Sequence, residues 1–304
     1  MSCPLCDDTG WKPIEEHGPS TLPQAQSRPE SGRRTTSSGP RRVVRCDCWR
    51  DLASKRALAS ARIPKRYDHC TLESLVVYEN EKFLKVVAKA GTFAEAFPSV
   101  DKGLFFVGPP GIGKSHLAVA VLKRVIRTTA ARGVFYDVRE LLRLIRSTYN
   151  PLVKAAEMDI LQPVMDAELL VLDDIGAEKT SEWVEETLNL IVNTRYNERR
   201  PTLFTSNHEE KEDHTDPDSL LVRVGFRMHS RLYEMCEFLE FDGADYRHAP
   251  PSPTAQDLLG AWKNQRRPAR LPSRLSGQAR AHLREPAVRD GRADLKWPGG
   301  RAGS

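Results

Sequence analysis

Residues 108–115 have the residue types and spacing of a phosphate-binding loop. Their sequence, Gly-Pro-Pro-Gly-Ile-Gly-Lys-Ser, follows an apolar run at 103–107 and precedes a helical pattern, as the motif G-x-x-x-x-G-K-S/T requires. Glycines let backbone N–H groups approach phosphate oxygens, and the helix start adds partial positive charge. We expect the Lys114 ammonium group to contact the β- and γ-phosphates and the Ser115 hydroxyl to bind Mg²⁺. The predicted nucleotide-contacting residues are Gly108, Pro109, Pro110, Gly111, Ile112, Gly113, Lys114, Ser115 and His116.

Two further apolar runs end in polar side chains that could complete such a site. Residues 169–172 precede Asp173 and Asp174, and residues 202–206 precede Asn207. Ligands bind at the carboxyl ends of buried parallel strands. We therefore expect Asp173 to hold Mg²⁺, directly or through water, Asp174 to orient and deprotonate the attacking water, and Asn207 to reach the γ-phosphate or that water. The strands and the helical patterns between them predict an α/β fold, with a parallel sheet flanked by helices.

Four of the six cysteines form two close pairs near the N-terminus, Cys3 with Cys6 and Cys46 with Cys48. In a reducing compartment such pairs indicate a tetrahedral thiolate Zn²⁺ site rather than disulfides, with reduced, metal-free thiols as the alternative. The other two cysteines, Cys70 and Cys236, are predicted to pack as small apolar residues.

Arginines recur at helical spacing in two segments. Arg139, Arg143 and Arg146 lie along one face of a predicted helix, which favours either a solvated charged face or a track for single-stranded DNA, with Tyr149 as a stacking ring. A second predicted helix, at 220–235, carries three arginines, one of which is a candidate arginine finger that acts on a neighbouring subunit's ATP. These arginines are Arg223, Arg227 and Arg231.

The formal charge of +5 is unevenly distributed, because residues 251–304 contain eleven basic and four acidic side chains. No apolar run approaches the roughly eighteen residues of a membrane span, and no signal peptide is recognisable, so we expect a cytoplasmic protein without membrane contact. Composition and motifs predict four regions. They are a zinc-knuckle-like module at 1–50 with a disordered insertion at 13–40, a connector at 51–78, an ATPase domain at 79–247, and a basic disordered tail at 248–304.

Taken together, the motifs resemble those of the DnaC/DnaI-like helicase loaders and their IstB-like relatives over about residues 60–247. The resemblance implies an AAA+ ATPase with the acidic pair as Walker B, Asn207 as first sensor, and Arg231 as arginine finger, with Arg227 as a second candidate. The cysteine pairs resemble the zinc-binding region with which some loaders grip the replicative helicase. The motifs that carry the resemblance are residues 108–115, 169–176, 193–196, 201–207, 230–232 and 245–247.

The resemblance implies an ATP-dependent DNA replication protein, a helicase loader that uses ATP and Mg²⁺ and binds Zn²⁺ through its four N-terminal cysteines. Its implied partners are the replicative helicase, single-stranded DNA and further copies of itself, which would assemble on ATP binding. Because Asp174 stands where many AAA+ proteins have Glu, we expect slow, switch-like hydrolysis. Two alternatives are an ATP-binding helper of a transposase, which ordinarily lacks the cysteine-rich region, and a non-catalytic adaptor stabilised by nucleotide.

Overall fold

The protein is represented by a computed structural model that describes residues 3–7, 9–13, 42–149, 156–178, 181–211 and 215–265. Most of the predicted disordered insertion at 13–40 lies outside the described residues. One compact unit extends to Lys263, and the second unit begins at Asn264 and is described only as far as Gln265. Within the described ranges, no helix combines the length and apolar character needed to cross a membrane.

The strands fall into two sheets. Two short N-terminal strands pair antiparallel, and five longer strands form one parallel sheet. The strands are β1 (Trp11–Pro13), β2 (Val43–Arg45), β3 (Gly103–Val107), β4 (Gly133–Asp137), β5 (Leu169–Asp173), β6 (Thr202–Ser206) and β7 (Cys236–Glu240). The five-stranded sheet has the order β4-β5-β6-β3-β7. Strand β3, which leads into the phosphate-binding loop, is therefore adjacent to β6.

Helices cover both faces of the parallel sheet, which confirms the predicted α/β architecture. They are α1 (Asp47–Ser60), α2 (Glu81–Ala96), α3 (Lys114–Thr129), α4 (Val138–Ser147), α5 (Glu157–Asp166), α6 (Glu182–Asn197), α7 (Leu220–Val224), α8 (Phe226–Met235) and α9 (Ala255–Gln265). Alternate residues of each strand enter one of two hydrophobic clusters, as with Phe106 and Phe105 of β3. The central strands β3, β5 and β6 are buried on both faces of the sheet, which explains their predominantly apolar sequences.

A ladder of aromatic rings crosses one face of the sheet. Phe105 of β3 stacks between Phe204 of β6 and Phe238 of β7, with ring centroids 5.6 and 4.5 Å away, and Tyr233 of α8 stacks on Phe238 at 4.2 Å. Such contacts add specific geometry to the area that they bury. They hold α8 against β7, which is paired with the strand that precedes the phosphate-binding loop.

Arg195 of α6 is the largest side chain in the core and is only 1% exposed. Burial lowers its pKa to about 9, so the guanidinium group stays charged at neutral pH. Without a carboxylate partner among the described residues, its charge is stabilised by neutral oxygens. The acceptors are the hydroxyl of Thr202 and the carbonyls of Val164, Met165, Ala167 and Pro201, at 2.7 to 3.1 Å. Arg195 thus joins α5 and α6 to the starts of β5 and β6.

Helix α1 connects the cysteine-containing segment to the sheet without a break. It begins directly after Cys46 and ends at Ser60, and it packs against α3. The Ser54 hydroxyl donates to the Arg127 carbonyl (3.3 Å), and the Phe135 N–H donates to the Ala61 carbonyl (2.8 Å). Residues on both sides of the predicted boundary at 50/51 therefore belong to one helix.

Two regions differ from the sequence-based prediction. The single helix predicted at 220–235 is broken at Gly225, whose φ of +80° is accessible to glycine at little cost, so Arg223 lies on α7 and the other two arginines on α8. The predicted disordered tail contains α9, whose Leu258 is fully buried and whose Trp262 donates to the Asp242 carboxylate (3.0 Å). Residues 266–304 of that tail lie outside the described residues.

Replacing Arg195 by Ala should lower the free energy of unfolding by about 3 kcal/mol or more, because five hydrogen bonds are lost, three of them fully buried. Urea denaturation followed by circular dichroism measures this change. The matched control is Arg143→Ala on the exposed side of α4, which should alter stability by less than about 0.5 kcal/mol. Equal effects at the two positions would contradict the role assigned to Arg195.

Candidate nucleotide-binding site

The predicted phosphate-binding loop lies between β3 and α3. Two of its glycines approach the chain that follows β7. A Cβ on Gly108 would overlap the Phe241 carbonyl, and a Cβ on Gly111 would overlap the Asp245 carboxylate; both have positive φ values. The Tyr246 N–H donates to the Gly111 carbonyl (3.0 Å). Glycine is therefore required here by neighbouring protein atoms as well as by the loop's conformation.

Lys114, the first residue of α3, turns its ammonium group into the loop. It is 6% exposed and donates to the carbonyls of Gly108 and Pro109 and to Asn207 Oδ1, each at 2.7 Å. Burial lowers the pKa of Lys114 to about 8, an effect that the nearby carboxylates of Asp174 and Asp173 oppose. The structure thus brings Lys114 and Asn207 together, as expected from the adjacent ends of β3 and β6.

Asp173 ends β5 and is almost fully buried. The Thr205 hydroxyl donates to its Oδ1 (2.7 Å), and the same hydroxyl accepts from the Asp174 N–H (2.8 Å). Burial raises the pKa of Asp173, whereas hydrogen bonding with the hydroxyls of Thr205 and Ser115 acts in the opposite direction. A buried carboxylate beside a serine hydroxyl is a donor set that suits Mg²⁺. Thr205 was not predicted, because a threonine in an apolar strand has no sequence signal that separates this role from packing.

Asp174 adopts a left-handed conformation, with φ of +62°. Its Oδ1 accepts from the amide of Asn207 (2.6 Å), and its Oδ2 lies 3.7 Å from the guanidinium group of Arg139 at the start of α4. Arg139 also donates to the Ala177 carbonyl (3.3 Å). The sequence predicted that Arg139 lies on a solvated charged face or in a track for single-stranded DNA, whereas the structure places it against the predicted catalytic carboxylate.

His116 follows Ser115 in the first turn of α3, but its ring faces the segment before α2. Its Nε2 lies 3.2 Å from the Thr71 carbonyl and 3.1 Å from the Ser74 hydroxyl. The Leu75 side chain of the same segment would meet a Cβ on Gly113 at 3.5 Å. Segment 71–75 therefore borders the phosphate-binding loop on the side of α3.

The structure does not bring Arg231 into this cluster. Its Nη1 donates to the Arg227 carbonyl (3.2 Å), and within the described part of the chain no hydrogen bond or ion pair joins it to Lys114, Asp173 or Asn207. Arg223 instead pairs with Asp218 at 2.9 Å. The three arginines thus have different surroundings, and the finger role of Arg231 stays a prediction.

The four N-terminal cysteines meet although about forty residues separate the two pairs. All four Sγ atoms lie within 4.8 Å of one another, with Cys3–Cys46 at 3.8 Å and Cys6–Cys48 at 3.2 Å. Tetrahedral Zn–S bonds of about 2.3 Å imply sulfur separations near 3.8 Å, so the cluster fits zinc with small adjustments. The Cys48 contact lowers the pKa of Cys6 to about 7. The fold supports the prediction of a zinc-binding module.

A family model described as IstB-like ATP binding protein matches residues 50–252, more than half of the chain. This match decides the family. The chain belongs to the IstB-like ATP-binding proteins. The matched segment includes every residue of the cluster around Lys114 and excludes α9 and the four N-terminal cysteines. Family membership agrees with the P-loop geometry described above.

Proteins similar to this IstB-like chain include helicase loaders. Replicative helicase loader DnaC of Buchnera aphidicola subsp. Baizongia pistaciae is 30% identical over 181 residues, 60% of this chain and 70% of the loader. DnaC of Escherichia coli K12 is 28% identical over 166 residues, 53% of this chain and 65% of that protein. A crystal structure of the DnaC helicase loader matches with a TM-score of 0.52 and 32% identity, covering 59% of this chain and 99% of that one. The two aligned segments thus cover about two thirds of the length of these DnaC proteins.

Asp173→Asn should raise the thermal stability of the nucleotide-free protein. Burial raises the pKa of Asp173, so its charged form costs stability increasingly as the pH rises through that raised value, and the neutral amide removes this cost. Thermal unfolding in Mg²⁺-free buffer at neutral and acidic pH measures the effect, which should shrink at acidic pH. The control Asp166→Asn should not stabilise, since Gln162 and Arg200 lower the pKa of Asp166. Destabilisation of Asp173→Asn at neutral pH would contradict the prediction.

Proposed function

We propose that this chain binds ATP with Mg²⁺, hydrolyses it slowly, and acts in DNA replication as a loader of a replicative helicase. The observation that carries the ATP site is the convergence of Lys114, Asp173 and Asn207 at the carboxyl edge of one parallel sheet. Membership of an ATP-binding family supports it, and the similarity to DnaC supports the loading role.

We assign phosphate binding to the loop at 108–115 and in particular to Lys114. Its ammonium group now has three oxygen acceptors, two of them carbonyls of the loop itself. Phosphate oxygens would offer this cation stronger acceptors, because charge-assisted hydrogen bonds to anions exceed those to carbonyls. Ser115 and Asp173 would hold Mg²⁺, which neutralises charge on the phosphates.

Asp174 is the residue that we assign to the attacking water. Its carboxylate lies at the end of β5 and is partly exposed, with a side-chain exposure of 28%. Asn207 donates to it at 2.6 Å and also accepts from Lys114, so one amide connects the phosphate-binding cation with the proposed base. Because aspartate is one methylene shorter than glutamate, we expect slow turnover that suits a switch.

Arg231 is proposed to act on ATP bound to a neighbouring copy of the chain, as part of a homo-oligomer formed on ATP binding. Helix α8, which carries it, is anchored to the loop that follows Asn207. Glu210 of that loop accepts from His229 (2.5 Å) and from the Tyr233 hydroxyl. This anchoring fixes the helix while leaving Arg231 without a carboxylate partner among the described residues.

Helix α4 and the start of α6 offer a surface for single-stranded DNA. Arg146 lies over the ring of Trp183 at 4.6 Å, and the Trp183 indole N–H donates to the hydroxyl of Tyr149, whose side chain is 54% exposed. Aromatic faces with a nearby guanidinium group suit stacking of bases. Arg143 and Arg146 remain on this surface, and Arg139 at the other end of α4 contacts Asp174.

We assign the contact with the helicase to the cysteine module, within residues 1–50. It exposes two tryptophans, Trp11 and Trp49, with the Arg45 guanidinium group 5.1 and 4.0 Å from their rings. Exposed aromatic side chains beside an arginine are the residues that dominate protein interfaces. Zn²⁺ bound by the four cysteines would fix this surface.

A second candidate function is that of an ATP-binding transposase helper, which the IstB-like family match favours. The cysteine module lies outside the matched segment. It favours the loader, because transposase helpers ordinarily lack a cysteine-rich region. A nucleotide-stabilised adaptor would bind ATP without turnover.

The decisive experiment measures ATP turnover of the full-length protein with and without single-stranded DNA and the host replicative helicase, together with helicase capture. We expect capture, and turnover that responds to DNA. Lys114→Ala should abolish nucleotide binding and loading, because the buried cation is lost. Arg146→Ala should weaken the response to DNA and retain ATP binding.

Two results would redirect the assignment. DNA-dependent turnover without helicase capture would favour the transposase helper. ATP binding without any turnover would favour the adaptor, and loading that persists in Lys114→Ala would refute the site.

Arg231→Ala should retain ATP binding but lose assembly-dependent turnover by up to about 10³-fold, the lower end of the range for arginine fingers. Mixing this variant with Lys114→Ala should restore turnover in part, because an intact phosphate-binding site on one variant can meet Arg231 of the other. Steady-state turnover of each variant and of the mixture measures this. Unchanged turnover in Arg231→Ala, with loss in Arg227→Ala, would transfer the role to Arg227.

A further inference from the structure

We propose a second metal site, formed by His69, Cys70 and His116, that binds Zn²⁺ independently of the N-terminal cysteines. A ring nitrogen of each histidine and the Cys70 Sγ all lie within 4.8 Å of one another. The Sγ is 3.8 Å from His69 Nε2, and the two imidazole rings meet edge to face with centroids 5.8 Å apart. Sequence spacing does not reveal this cluster, because 46 residues separate Cys70 from His116.

The donor types and their hydrogen bonds suit zinc. Thiolate sulfur and neutral imidazole nitrogen are its common protein ligands, and carboxylate-preferring cations would not select them. The Ser74 hydroxyl donates to the Thr71 carbonyl, so Ser74 Oγ and that carbonyl can both accept from His116 Nε2. The proton then resides on Nε2, and the lone pair is on Nδ1. Such contacts orient imidazoles for metal binding.

The site should bind zinc more weakly than the four-cysteine cluster. It supplies three protein ligands, and His69 is exposed while Cys70 is only 1% exposed, so a fourth position is open on the solvent side. Three ligands with an open position are typical of exchangeable or catalytic zinc, whereas four closed ligands are typical of structural zinc. The positive charges of Lys123 and Arg66 near Cys70 repel a dication, which also weakens binding.

Zinc at this position would join two segments that border the proposed nucleotide site. His69 and Cys70 precede segment 71–75, whose Leu75 lies next to Gly113, and His116 directly follows Ser115. A bound ion would hold that segment against the first turn of α3. We therefore expect zinc to tighten ATP binding severalfold, a consequence that rests on the proposed function, whereas zinc binding itself does not.

The test is zinc content of the full-length reduced protein, measured by mass spectrometry after equilibration with Zn²⁺. Wild type should hold two ions per chain and His69→Ala one; mild chelation should remove one ion from wild type. His69 is exposed, so its replacement should not impair folding, which circular dichroism verifies. His248→Ala, which removes another exposed histidine, is the control and should keep two ions. Equal zinc content in wild type and in His69→Ala would overturn the site.

Co²⁺ and nucleotide titrations separate the site from its consequence. The second equivalent of Co²⁺ should add thiolate charge-transfer absorption in wild type and in Cys236→Ala, but none in Cys70→Ala. Zinc should tighten binding of a fluorescent ATP analogue in wild type and have no effect in His69→Ala. Equal affinity with one and two ions bound would overturn the coupling. Two ions without any nucleotide binding would support the metal site and refute the proposed function.

Discussion

The Lys114 ammonium group, withdrawn from water, is the constraint to which the surrounding structure responds. Moving a cation into a protein interior is costly unless oxygen atoms replace its hydration shell. The fold supplies three such oxygens from the loop after β3 and from the residue after β6. The order β6-β3 in the sheet makes this possible, because it places the end of β6 beside the loop that follows β3. Two of these oxygens are carbonyls of the loop, and phosphate oxygens of a bound nucleotide would replace them as acceptors for Lys114.

Strand β6 contributes residues both to the nucleotide-binding site and to contacts that hold the surrounding structure together. Thr205 contacts Asp173, whereas the next residue, Ser206, points oppositely and donates to the Ile175 carbonyl (2.8 Å). Asn207 returns to the side of Thr205, as the two-residue period of a strand requires. At the other end, Thr202 accepts from Arg195. The buried guanidinium group therefore fixes the start of the strand whose end carries the site.

Sequence was informative where a function has a local pattern. Continuous apolar runs between polar ends predicted β3, β5 and β6, and the glycine spacing predicted the loop, because each feature depends on neighbours in the chain. Residues whose roles depend on distant contacts were missed. Arg139 looked like part of a solvated face, and Cys70 looked like a small apolar residue, until folding placed Asp174 and His116 beside them. Helix α9 was missed because its apolar residues are few and sit in a basic, proline-rich segment.

A chain of polar contacts leads from the phosphate-binding cation to the surface of α4. Lys114 contacts Asn207, Asn207 contacts Asp174, and Asp174 contacts Arg139. The same helix carries Arg146, about 10 Å further along its axis. Asn207 and Arg139 thus contact different oxygens of Asp174. If ATP engages Lys114 and DNA engages α4, as proposed above, both ligands alter the surroundings of the same carboxylate. We therefore expect the two binding events to be coupled through Asp174. Under the proposed function, this shared carboxylate gives a physical reason for ATP turnover to respond to DNA.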